Sequence, residues 1–98
     1  MQIRKTKRYQ KDLSDILIYI SKDKITASKN FRKEIDKRIQ TIPNFPYQYK
    51  QSIYSNDKNI RELTFKGYTL VYRVNKDKNL IEILTIFNRN KPKDNIIA

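Results

Sequence analysis

The sequence predicts a single small α+β domain, with a two-helix hairpin packed on one face of an antiparallel sheet. Three observations predict it. Apolar residues recur at helical spacing through the first half of the chain, as far as Pro43. From Ile60 onward they alternate with period two. Finally, 98 residues are enough for one hydrophobic core and not for two.

Residues 2–6 read as a short edge strand, with Thr6 as the cap of the helix that follows. From Tyr9 the apolar positions are Leu13, Ile16, Leu17 and Ile20, one face of a helix, while Lys11, Asp12 and Asp15 occupy the other. That helix should end between Ser21 and Lys24. Thr26 is placed to cap a second helix with the inner stripe Ala27, Phe31, Ile35, Ile39 and Ile42, stopped by Pro43. So short a link implies an antiparallel helix pair.

Residues 43–58 carry turn residues (Pro43, Asn44, Pro46, Ser55, Asn56, Asp57) among Phe45, Tyr47, Tyr49, Ile53 and Tyr54. With that many large apolar groups, the segment should pack down on the domain. Strands are then predicted at Ile60 to Phe65, Tyr68 to Asn75 and Leu80 to Phe87. The first two are joined at Lys66-Gly67, where the chain's single glycine marks a backbone site needing positive φ. Period two sends Tyr68, Leu70, Tyr72 and Val74 toward the helices, and Thr69, Val71 and Arg73 to the other face. The last strand is nearly continuously apolar, as a strand covered on both faces would be. The element order is β-α-α-β-β-β, with residues 3–91 as core and 92–98 as tail.

Composition narrows the chemistry. The chain has 22 Lys and Arg against 10 Asp and Glu, a net charge of +12, which favours nucleic acid, an anionic surface or an acidic protein as partner. It has no Cys and no His. A disulfide framework, a thiolate zinc site, a Cys nucleophile and a Ser-His-Asp triad are thereby excluded, and no metal or cofactor is expected. No stretch is long and apolar enough to span a membrane, and no leader-like apolar run follows the basic first eleven residues. The expectation is a small cytoplasmic protein.

The ordered set of these pieces resembles the RelE/ParE superfamily of bacterial type II toxins. The resemblance is carried by Asp12-Leu13 with Ile16, Tyr19 and Ile20, and by Ala27, Phe31 and Pro43. It continues through Ile60-Arg61-Glu62-Leu63, Gly67-Tyr68, Val71-Tyr72-Arg73-Val74 and Ile81-Glu82-Ile83-Leu84, with Asn88-Arg89 beyond. It implies a toxin sequestered by a cognate antitoxin, whose acidic C-terminal segment wraps it into a hetero-oligomer. RelE-like members cleave mRNA in the ribosomal A site, whereas ParE-like members that have been assigned poison DNA gyrase. Aligned on Gly67-Tyr68, Ile60 and Glu62 stand where RelE-like nucleases carry lysines, and Thr69 stands where they carry an arginine. Of that set Arg89 matches, and residues 90–98 hold no Tyr. The ParE-like branch is therefore expected. A ribosome-dependent nuclease is the first alternative, and a non-toxic basic nucleic-acid-binding module the second.

The candidate binding residues, for target or antitoxin, are Arg61, Arg73, Arg89 and Lys91. In the nuclease alternative Arg89 and Arg73 would stabilise the transition-state phosphate, helped by some of Lys50, Lys58 and Lys66, with Glu62 as general base. The structural reading of Glu62 is an ion pair tying its strand to a helix or to Arg73, and that of Arg73 is a cross-strand partner for Glu62 or Glu82. Arg61 should lay its stem along the sheet margin beside Leu63 and Phe65. Arg89, beyond the last strand and close to Lys91 and Lys93, has no evident structural task.

Overall fold

A computed structural model describes residues 1–92 of the chain, so that residues 93–98 of the expected tail, Lys93 among them, lie outside the described residues. Strand β1 (Gln2–Lys5) leads into helices α1 (Lys7–Asp23) and α2 (Ile25–Thr41), then a 3-10 turn (Ile42–Asn44). After the long loop come β2 (Ile60–Phe65), β3 (Tyr68–Asn75) and β4 (Leu80–Asn88).

Thr6 caps α1 as its sequence position predicts. Its hydroxyl accepts the Tyr9 N–H at 3.1 Å and donates to the Ile83 carbonyl at 2.8 Å, so the cap also pins the helix start to β4. Thr26 does not cap α2. A single extended residue, Lys24, serves as C-cap of α1 and N-cap of α2 without a side-chain bond, and Thr26 falls inside the first turn. The link is simply shorter than a cap at Thr26 requires. The inner stripe of α2 holds, with Phe31, Ile35, Ile39 and Ile42 buried and Ala27 half-buried.

The sheet runs β1-β4-β3-β2, and β2, β3 and β4 pair antiparallel. The first strand does join at an edge, but parallel to β4, with Ile3 opposite Ile81 and Lys5 opposite Ile83. The sheet is mixed, not antiparallel. At the β2–β3 turn Lys66 has φ 49° and Gly67 φ 84°, the two positive values that a tight type I′ hairpin needs. A bulge opposite Val71 and Tyr72 places Thr85 across from Val71 and Ile83 across from Tyr72, leaving Leu84 as the extra residue.

The register of β3 is the one its alternation predicts. Leu70, Tyr72 and Val74 are buried with Tyr9, Leu13, Phe31 and Ile35 of the helices, and Tyr68 packs against them. On the opposite face Val71, Ile60 and Phe87 form a smaller cluster closed by Tyr54 and Leu84. Apolar β4 is thus covered on both sides. The loop before β2 wraps that strand's outer edge: Glu62 N–H bonds the Lys50 carbonyl at 3.1 Å, and Ser52 N–H the Ile60 carbonyl at 2.8 Å. Tyr49 and Tyr54 pack down, as expected of this segment, whereas Phe45 (67% exposed) and Ile53 (73%) do not.

Among the described residues one core group is unsatisfied. Tyr9 is fully buried, and its hydroxyl has no hydrogen-bond partner among the described residues. Burial, then the charge of Asp36, push its pKa above the usual phenol value against the opposing pull of Arg32, so it stays neutral. A buried polar atom left unpaired typically costs about 1–3 kcal/mol. Tyr9→Phe is therefore expected to raise stability by about 1 kcal/mol, read as a rise of about 4–8 °C in Tm. A fall in Tm would show that the hydroxyl is satisfied in solution.

Candidate functional site

The predicted binding residues do not converge. Arg61 and Arg73 lie near one end of the β2–β3 ladder, with Arg73 opposite Ile60 on β2 and Glu82 on β4. Arg89 follows the Asn88–Tyr68 pair at the other end, where its backbone N–H bonds the Gly67 carbonyl at 2.9 Å. From Tyr68 to Arg73 is five strand residues, about 17 Å. Arg61 and Arg73 also leave opposite faces of the sheet, because Arg61 shares its face with Leu63 and Phe65 of the main core. Arg89 and Lys91 alone remain neighbours, both exposed.

Arg61, Glu62 and Arg73 are each engaged. Arg61 lies along the sheet margin, donating from Nε to the Lys58 carbonyl at 2.8 Å and from Nη1 to the Tyr49 carbonyl at 3.1 Å. Glu62 is 4% exposed. Its partners are Ser52, whose Oγ donates at 3.2 Å, and Lys50, whose Nζ lies at 3.4 Å. The expected tie to a helix or to Arg73 is thus replaced by one to the loop that borders β2. The reason is register, since Glu62 sits opposite Val71 while Arg73 sits opposite Glu82.

Glu82 collects the cross-strand charge. Arg4 Nη2 donates to it at 2.6 Å, Arg73 Nη1 lies at 3.7 Å, and Asn75 Nδ2 donates at 3.3 Å. Burial alone would raise the pKa of this carboxyl. The hydrogen bonds from Asn75 and Arg4, with the charges of Arg4 and Arg73, outweigh burial and hold it below the ordinary 4.5. A depressed carboxyl contributes stability that is complete above its unfolded pKa and is lost as pH falls through the folded one. Denaturation midpoints should therefore fall as pH drops below about 4.5, and Glu82→Gln should flatten that fall. An equally steep acid loss in the variant would assign it to other carboxyls.

A concave feature lies where α1 passes the C-terminal end of β4. It is a groove of about 320 Å³ lined by Ile16, Tyr19, Tyr68, Ile86, Asn88 and Lys91, among others. Tyr19 is 70% exposed at its lip, and Tyr68 stands half-buried in its wall, its pKa raised by burial and by Tyr19. At the groove floor Asp12, 6% exposed, accepts the Thr85 hydroxyl at 2.6 Å, and Arg8 Nε lies 3.8 Å from the same oxygen. Tyr19 and Tyr68 were not among the candidates read from the sequence. Their only signal is that Tyr19 sits on the flank of the α1 stripe, and a flank becomes a wall only once β4 lies beside it. Among the described residues no group of three or more Cys, His, Asp or Glu side chains could hold a metal ion. The groove offers apolar walls with charges of both signs, Asp12 and Asp15 on α1 and Lys91 beyond β4, an arrangement suited to contact and not to catalysis by converging cations.

A family model described as the ParE toxin of the type II toxin–antitoxin system parDE matches residues 3–92. The chain belongs to the ParE toxin family. Among solved structures it is similar to a chain of the chromosomal ParDE toxin–antitoxin system of P. aeruginosa. That match has a TM-score of 0.71 and 20% sequence identity, covering 90% of this chain and 95% of the other. At that identity the likeness speaks for the fold, and it is the α+β fold that the resemblance to the RelE/ParE superfamily implies. No curated protein sequence matches the chain.

Proposed function

We propose that this ParE-family toxin arrests growth by binding a DNA-handling enzyme, most simply gyrase, and that a cognate acidic antitoxin neutralises it in a hetero-oligomer. The observation that carries the reading is the separation of its basic residues. A phosphoryl-transfer centre needs cations converging on one phosphate, and Arg73 and Arg89 stand at opposite ends of β3. The residues at the nuclease-like positions support the same reading, since Ile60 is buried and Glu62 is engaged by Ser52 and Lys50. The +12 charge supports an acidic partner, through steering and complementarity.

Induction in a bacterial host, with and without the neighbouring gene, tests both halves. The expected result is a DNA-damage response without codon-phased mRNA cleavage, and restored growth on co-expression. Arg89→Ala separates the mechanisms by magnitude. One exposed charge within a binding edge is worth about 1 kcal/mol or less, a few-fold in potency. A donor acting in a transition state is worth about a hundredfold or more in rate. A graded loss of toxicity is expected. Ribosome-dependent mRNA cleavage that disappears with Arg89 would replace this reading by the nuclease.

A further inference from the structure

The end of the sheet away from Arg89 carries a second basic surface, built around Arg61. There the loop residue Tyr47 stacks two cations against its ring: the Arg61 guanidinium lies 4.9 Å from the ring centroid and Lys76 Nζ 5.2 Å from it. The ring is itself fixed, because its hydroxyl donates to Asn59 Oδ1 at 2.6 Å. Arg61 is held further by the carbonyls of Lys58 and Tyr49. Both cations are thus positioned by ring faces and backbone, and not by acids. Among the described residues no carboxylate comes within salt-bridge range of Lys58, Arg61 or Lys76. The acidic neighbours in sequence are Asp57, whose Oδ1 accepts the Asn59 N–H at 2.9 Å, and Asp77 in the β3–β4 turn. Beside this cluster Phe45 is 67% exposed in a shallow hollow formed with Asn44, Pro46, Tyr47 and Gln48.

We infer that this end of the sheet is a binding site for single-stranded nucleic acid, with Lys58, Arg61 and Lys76 on the phosphodiester backbone and Phe45 as a stacking face for a base. Uncompensated cations next to an exposed aromatic ring are the combination that binds single strands without reading their sequence: the charges track the backbone, and any base offers a face to the ring. An acidic peptide would satisfy the cations equally, but in a nucleic acid every residue carries both a phosphate for the cations and a planar base for Phe45. The inference involves no cleavage and stands independently of the toxin's target.

Fluorescence anisotropy with a fluorescein-labelled oligothymidylate of about 12 nucleotides tests it, across a range of salt concentrations. Because a chain of charge +12 attracts any polyanion, position has to be separated from charge. Phe45→Ala changes no charge, Lys76→Glu reverses one at the site, and Lys33→Glu makes the same reversal on exposed α2. All three replace exposed residues, and thermal melts confirm that each variant is folded. The expected result is a loss of about tenfold for Phe45→Ala, a similar loss with a shallower salt slope for Lys76→Glu, and little change for Lys33→Glu. Parent-like binding by Phe45→Ala, or equal losses for Lys76→Glu and Lys33→Glu, would reduce the site to diffuse attraction and overturn the inference. An oligoglutamate that binds more tightly than the oligonucleotide, and is weakened by the same two site variants, would overturn it in favour of a protein partner.

Discussion

Phe31→Ala should remove about 3–5 kcal/mol of folding stability, the range for truncating a buried phenylalanine. Phe31 is 4% exposed, and its ring meets Phe65 at 5.1 Å and Tyr68 at 5.3 Å, both edge-on. Those contacts join α2 to the end of the β2–β3 hairpin, on either side of the Lys66-Gly67 turn. A small domain is stable by only about 5–15 kcal/mol, so the variant should sit close to its unfolding threshold at 37 °C. Urea denaturation is the measurement, and the midpoint should fall while the m-value is kept. A loss below about 1.5 kcal/mol would mean that the aromatic cluster collapses readily into the vacated space.

Phe31 was legible because helical periodicity states which face is inward before any partner is known. The same holds for Ile35, Ile39 and the alternating residues of β3, whose pattern is local. The direction of β1 was not. Its four residues pair with a strand almost eighty positions away, and nothing in Gln2–Lys5 says whether that partner runs parallel. The start of α2 was misplaced for a similar reason. Thr26 is a good cap by chemistry, but the turn closed at Lys24, where the backbone could become extended for one residue between two helices. The candidate site was legible residue by residue and not as an assembly. Period two already separates Arg61 from Arg73 by face, and strand length separates Arg73 from Arg89. The groove needed more, because Tyr19, Tyr68 and Lys91 come from three distant segments that only the packed sheet brings together. The Tyr47 cluster was hidden likewise, since Arg61 and Lys76 meet through a loop ring that no spacing rule reaches.

The Asp12–Thr85 pair beneath the groove should behave as one unit in a double-mutant cycle. Asp12 lies on the polar flank of α1, yet it is 6% exposed because β4 runs against that flank, and fully buried Thr85 donates to it at 2.6 Å. Asp12→Ala strands the Thr85 hydroxyl in a dry site and removes a carboxylate from Arg8. Thr85→Val leaves the carboxylate without that donor. Each is expected to cost about 2–3 kcal/mol, since a hydrogen bond to a charged group contributes about 1.5–3 kcal/mol and its loss leaves a buried polar atom unpaired. Together they should cost less than the sum of the two, with a coupling of about 1–2 kcal/mol, because the double variant strands neither partner. The pair holds α1 against β4, so its loss should also loosen the groove walls at Ile16 and Tyr19 and weaken any partner seated there. Strict additivity of the two substitutions would show that Thr85 and Asp12 do not share their hydrogen bond in solution, and that α1 is held to β4 by the Thr6 cap and apolar contacts instead.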